Sequence, residues 1–211
     1  MKKKSHPPIW IKVCGLSTQS DVAAAVDAGA DAIGFVFAPG SPRTVTPQTA
    51  LSASLEVPPE VEKIGVFRNQ SLSDVVSMST DAGIRCLQLH GNETPHFFAE
   101  ARKRGFDVIR AVSAESQAHE TASERAQFQP ARLLLDAATP GGGAPFDPAL
   151  DVERWDNGDW ILAGGLTARN VRTLIDRLRP SGVDVSSGVE RSRGIKDPAL
   201  IREFVDAVRH G

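Results

Sequence analysis

The chain has 211 residues, 41% hydrophobic and 24% charged, the composition of an ordinary globular domain with a sizeable core. Its 24 lysines and arginines are balanced by 26 acidic residues, so no overall positive field draws in nucleic acid or a membrane surface, and any anion site has to be built locally. Two cysteines, Cys14 and Cys86, with no CxxC and no histidine cluster, exclude a disulfide framework and a zinc site and fit a reducing cytoplasm.

The opening MKKKSHPPIWIKVCG pairs a basic start with apolar residues, but Pro7, Pro8 and Lys12 interrupt it and no small-residue cleavage site follows. It therefore does not read as a secretory signal. No apolar run reaches the roughly 18 residues of a membrane span. The first strand is expected at IWIKVCG (9–15), followed by the helical pattern TQSDVAAAVDAGA with Thr18 as cap and Gly29 as stop. DAIGFVF (31–37) leads through APGSPRTVTP into a helix at PQTALSASL. VEKIGVF (61–67) precedes SLSDVVSMSTDAG, capped by Ser71 and stopped at Gly83. IRCLQLHG (84–91) precedes TPHFFAEARKRG, with Pro95 at a first helical position and Gly105 at the end. FDVIRAV (106–112) is followed by one helix over SAESQAHETASERA. ARLLLDA (131–137) runs into a Gly/Pro loop and a short helical piece around PALDVERW. DWILAGG (159–165) precedes a helix over TARNVRTLIDRLR, and GVDVSSG (182–188) precedes DPALIREFVDAVRH.

Eight strand–helix pairs in series require parallel neighbours joined by right-handed crossovers. An open dinucleotide-binding sheet would carry GxGxxG after its first strand, and CGLSTQS does not. The expected fold is a closed single-domain (β/α)8 TIM barrel over residues 1–211, with no linker or second domain.

Active sites of such barrels lie at the C-terminal strand ends, here Cys14, Phe37, Arg68, His90, Arg110, Asp136, Gly164-Gly165 and Ser186-Ser187-Gly188. Side chains alternate across a strand, so Lys12 and Cys14 share an interior face, as do Leu134 and Asp136, Cys86, Gln88 and His90, and Asp184 and Ser186. A lysine at that depth needs an anion nearby, and Asp184 on the adjacent strand is the expected partner. AGGLTARN and SSGVERSRG end strands seven and eight, where barrels bind phosphate through backbone N–H groups and a short helix N-terminus. Gly164, Gly165, Ser186, Ser187 and Gly188 are the expected phosphate contacts; the plain alternative is a pair of tight turns. Cys14 also fits as a small core hydrophobe, and Asp136 as a cap. Together they suit a reaction that removes one proton and delivers another on a phosphorylated ligand.

IKVCGLS, GFVF…SPR, IGVF, LQLHGNE, LLLDA…PGGGAPFD, LAGGLTARNV and VDVSSGVE…GIKD resemble phosphoribosylanthranilate isomerases, in order, over essentially the whole chain. The resemblance implies an Amadori rearrangement in tryptophan biosynthesis, without cofactor or metal. It implies Cys14 as general base, Asp136 as general acid and Arg43 of SPR as the contact to the anthranilate moiety. His90 of QLHG and Asp184 join Arg43 as substrate-binding residues, His90 in a supporting role beside the alternative of a satisfied interior histidine. The implied partner is a phosphorylated small molecule, not nucleic acid or membrane, and the assembly a monomer or homodimer. One departure stands out: the loop after strand six is the compact TPGGGAPFDP, lacking the family's Thr-Gly pair, any Lys or Arg, and its Trp. A related phosphosugar barrel with another reaction would show a second carboxylate or catalytic lysine at a strand end. A non-catalytic phosphate-binding barrel would need neither Cys14 nor Asp136.

Overall fold

The computed structural model describes residues 8–129, 131–136 and 160–211. Eight short parallel strands close in chain order: β1 (Trp10–Cys14), β2 (Ala32–Val36), β3 (Glu62–Phe67), β4 (Cys86–Leu89), β5 (Asp107–Ser113), β6 (Arg132–Asp136), β7 (Trp160–Ala163) and β8 (Gly182–Val185). The β8–β1 ladder excludes the open sheet and sets Asp184 directly opposite Lys12. The (β/α)8 barrel expected from the alternating pattern is therefore the observed fold.

The helices are α1 (Gln19–Asp27), α2 (Pro47–Ala53), α3 (Leu72–Asp81), α4 (Pro95–Lys103), α5 (Ala114–His119), α6 (Ala122–Ala126), α7 (Val171–Leu178) and α8 (Pro198–His210). Their starts are written locally. The side chains of Thr18, Thr46, Ser71 and Thr94 each accept a hydrogen bond from the N–H three residues on, and Pro47, Pro95 and Pro198 sit in first turns where no N–H is needed. Among the described residues no helix is long and apolar enough to cross a membrane.

Three local expectations are corrected. The single helix over 113–126 is two, because Glu120 adopts extended backbone and Thr121 opens α6 with a capping box to Glu124. Glu120 is drawn instead to Arg110, whose guanidinium it pairs with. The helix after strand seven begins only at Val171, since Asn170 bonds back to Gly165 O and Thr167 N and holds residues 167–170 as a turn. The connection after β8 carries an unforeseen antiparallel hairpin, β9 (Glu190–Ser192) and β10 (Ile195–Lys196), turned at Gly194. The helical piece at PALDVERW and the Gly-rich loop before it lie outside the described residues.

Strand parity separates two apolar layers. Ile11, Val13, Ile33, Phe35, Leu87, Leu89, Leu133, Leu135 and Val183 face the helices and are essentially inaccessible. The interior holds mostly smaller or slimmer side chains: Ala32, Ile64, Cys86, Ile109, Ala111, Leu134, Ile161 and Ala163. Each fully buried large aliphatic in the outer layer contributes about 1.5–3 kcal/mol, so the barrel wall is held chiefly from outside. The narrow interior is left free to carry polar groups towards its C-terminal mouth.

Candidate active site

Cys14, the last residue of β1, is buried at that mouth in a small cluster with Val36, Ala38 and Val66. Asp136 ends β6 and is likewise buried. Both line one cavity of about 300 Å³, together with Arg43, Arg68, Gln88, His90, Asp184, Ser186 and Arg193. The interior parity read from sequence is therefore the observed one for Cys14, Asp136, Gln88, His90, Asp184 and Ser186. Phe37 and Arg110, also singled out as strand ends, do not join them. Phe37 is buried in the layer beneath the helices, and Arg110 stacks on the Phe128 ring at 3.7 Å and pairs with Glu120.

Directly below Cys14, Lys12 is wholly inaccessible, and its Nζ donates to Asp184 Oδ2 at 2.8 Å. Gly34 on β2 makes the room. A Cβ there would stand 2.9 Å from Cys14 Sγ and 3.0 Å from Lys12 Cε, so the two polar side chains occupy space that any other residue would fill. Burial alone would depress the Lys12 ammonium, but Asp184 and then Cys14 outweigh it and hold the lysine charged. For Cys14 the balance falls the other way. Burial raises its thiol above the ordinary range, and the opposing pull of Lys12 and of a second cation, Lys196, does not cancel it.

The pair gives a direct test of the interior charge. Lys12→Met is expected to cost about 3–5 kcal/mol, because it leaves the Asp184 carboxylate buried and unpaired. For a chain of this size that lowers the melting temperature by roughly 10 °C. Without Lys12 the folded-state pKa of Asp184 is raised above its unfolded value, so protonating the carboxyl relieves the strain. The deficit against wild type should then shrink as pH falls from neutrality into the carboxylate range. Melting curves of the two proteins across pH check both statements; an unchanged melting temperature would refute the pair's role.

His90 Nε2 stands 3.7 Å from Asp136 Oδ2, too far for a hydrogen bond. Burial, reinforced by the Lys12 and Arg68 charges, lowers the imidazole to about 4, so it is neutral near pH 7. Its Nε2 has no hydrogen-bond partner among the described residues, so that edge of the ring is not satisfied as an interior histidine's would be. Gln88 Oε1 and Asp184 Oδ1 are buried and unpartnered in the same way. Three of the four such atoms among the described residues line this one cavity, and the fourth, Ser79 Oγ, does not. Buried polar atoms normally find partners, so this concentration marks a surface shaped for a polar ligand.

The loop after β7 touches the turn after β8 at one point, Leu166 against Gly188. Gly164 and Gly165 have φ of +90° and +62°, the left-handed region glycine adopts without strain. A Cβ at Gly188 would lie 1.7 Å from Leu166 O, so only glycine lets the two loops touch. Residues Ser187–Val189 form a single 3-10 turn whose first N–H groups have no partner within it. Of these residues Ser186 lines the cavity, while Gly164, Gly165, Ser187 and Gly188 lie outside its lining.

Sequence reasoning missed the hairpin's contribution. Arg43, from the loop after β2, donates Nε–H to Glu190 Oε1 at 2.6 Å and Nη2–H to Oε2 at 2.9 Å. Lys196 Nζ, buried, donates to Glu190 Oε1 and to Ser186 O, both at 2.8 Å. Burial works against the Glu190 carboxylate, yet the Arg43, Lys196 and Gly194 donors bring it down to about 2. The available signal was Gly194 after the polar run Glu190–Arg193, a turn separating Glu190 from Lys196. Among the described residues no group of three or more His, Cys, Asp or Glu side chains is placed to hold a metal ion.

The pattern of the family described as N-(5′-phosphoribosyl)anthranilate (PRA) isomerase matches residues 11–207. The N-(5′-phosphoribosyl)anthranilate isomerase of Deinococcus radiodurans is 42% identical over 207 residues, spanning 97% of this chain and 99% of that protein. The crystal structure of phosphoribosyl anthranilate isomerase from Thermus thermophilus superposes with a TM-score of 0.84 at 35% identity, covering 94% of this chain and 98% of that one. A further phosphoribosyl anthranilate isomerase, in complex with reduced 1-(o-carboxyphenylamino)-1-deoxyribulose 5-phosphate, superposes at 0.79 with 33% identity, covering 95% and 98%. With sequence and fold agreeing over nearly the full length, the chain belongs to the N-(5′-phosphoribosyl)anthranilate isomerase family.

Proposed function

We propose that this chain isomerises N-(5′-phosphoribosyl)anthranilate to 1-(2-carboxyphenylamino)-1-deoxyribulose 5-phosphate in tryptophan biosynthesis, with Asp136 as general acid and Cys14 as general base. The observation that carries the reading is that one cavity receives a buried thiol from β1 and a buried carboxyl from β6. Protonated Asp136 gives its proton to the ribose ring oxygen as the C1′–O bond breaks, and the nitrogen lone pair forms the Schiff base. Cys14, as thiolate, removes the C2′ proton, and that electron pair becomes the C1′–C2′ double bond of an enolamine. Ketonisation then gives the product. Asp184 Oδ1 and Gln88 Oε1, buried acceptors without protein donors among the described residues, suit the sugar hydroxyls. Arg43 suits the anthranilate carboxylate, and the neutral His90 supports the acid side of the cavity.

The cytoplasm is the setting we infer, because a catalytic thiol must stay reduced and both cysteines are free thiols. The test is turnover of enzymatically made phosphoribosylanthranilate, coupled to formation of indole glycerol phosphate; no coupled product from folded protein would refute the activity. Gly165 and Ser186–Gly188 are the phosphate contacts in this reading. Inorganic phosphate is expected to inhibit competitively and, in a soaked crystal, to rest on the N–H groups of that cradle. Phosphate located elsewhere in the mouth would overturn the assignment.

A further inference from the structure

The hairpin after β8 supplies a carboxylate with no place in the acid–base chemistry. Glu190 accepts four hydrogen bonds: two from the Arg43 guanidinium, one from Lys196 Nζ and one from Gly194 N–H at 3.0 Å. Its two oxygens have about four acceptor sites, so the group is saturated. Arg43 and Lys196 are both buried, and one carboxylate between two cations leaves this cluster of three with one surplus positive charge, of which Arg43 lines the cavity. The Arg43 stem lies against the turn that follows Cys14, where a Cβ on Gly15 would stand 2.6 Å from Arg43 Cδ. The guanidinium fork is thus fixed at both ends, by the Gly15 turn along its stem and by Glu190 at its head. Two of its five N–H groups are spent on that clamp, leaving three for a ligand.

We propose that Glu190 is a positioning residue that sets the orientation of Arg43 for the anthranilate carboxylate and, by sharing its charge between two loops, ties the loop after β2 to the hairpin after β8. The proposal rests on the functional reading above, in which Arg43 meets that carboxylate. A lone buried arginine has many rotamers; a bidentate clamp leaves one and aims the free edge into the cavity. Lys196 keeps its second anchor at Ser186 O, so the hairpin does not depend on Glu190 alone.

A double-mutant cycle with Glu190→Gln and Arg43→Ala tests it, read by kcat/KM on phosphoribosylanthranilate and by the Kd of reduced 1-(o-carboxyphenylamino)-1-deoxyribulose 5-phosphate. The Glu190→Gln change presents an amide NH2 group where Arg43 needs an acceptor, so the clamp opens with little change in volume. Glu190→Gln alone is expected to lower kcat/KM by about 100-fold, the scale of a misplaced positioning group, with the analogue weakened in step. In the Arg43→Ala background the same change is expected to cost less than about threefold, because Glu190 has nothing left to position. Equal losses in both backgrounds, or a lowered melting temperature with unchanged kcat/KM and Kd per folded molecule, would overturn the proposal in favour of a purely structural ion pair. If wild type itself neither turns over nor binds the analogue, the functional reading fails and the proposal fails with it. If wild type works and Glu190→Gln works equally well, only the proposal is lost.

Discussion

Asp136→Asn is expected to lower kcat by a factor of at least about 10³, with the Kd of the reduced product analogue within about threefold of wild type. A general acid supplies about 10²–10⁴ in rate, and here the departing group is an alkoxide that water protonates poorly inside a cavity. Asparagine keeps the shape and some hydrogen-bonding capacity but has no proton to give, so the loss falls on the reaction and not on binding. Asp136 is buried at the end of a strand of leucines, and His90, 3.7 Å away, is neutral. Among the described residues the other carboxylate in the cavity lining is Asp184, which is committed to Lys12 and cannot take over. Retention of more than a tenth of wild-type kcat would remove Asp136 from the acid role.

Cys14→Ser carries the second large effect, and its signature is in the pH dependence. Burial raises the Cys14 thiol above its ordinary range despite the nearby Lys12 and Lys196 cations. The working base is the thiolate, whose fraction grows tenfold per pH unit below the pKa, so wild-type kcat/KM should climb as pH rises above neutrality. Serine is the same shape within one atom, but its hydroxyl stays protonated throughout. The variant should therefore be slower by about 10²–10⁴, lose the alkaline limb, and bind the product analogue nearly as well. A pH–rate profile of the variant parallel to that of wild type would show that another group takes the C2′ proton. Lys12→Met should move the same limb to higher pH, since it removes a cation that lowers the thiol.

Much of this molecule is readable along the chain because the physics involved is local. Thr18 and Ser71 cap the helices they were expected to cap, since a hydroxyl three residues ahead of an N–H needs no tertiary help. The period of two in the strands put Cys14, Asp136, His90 and Asp184 on one face, and closing an eight-strand sheet brings one face together. Even the Lys12–Asp184 pair followed from parity and neighbourhood, because in a closed barrel the first and last strands must touch.

What only the folded chain decided were balances and long-range partnerships. The Cys14 thiol is raised because burial from several strands outweighs two cations, a sum no spacing reveals. The break between α5 and α6 depended on Glu120 turning to Arg110 on β5. Arg43 and Glu190 stand 147 residues apart, on loops whose approach is set by barrel closure and by the hairpin turn at Gly194. Sequence patterns carry what a residue does to its immediate neighbours; which distant charge it meets, and at what depth from water, depends on the whole barrel having closed.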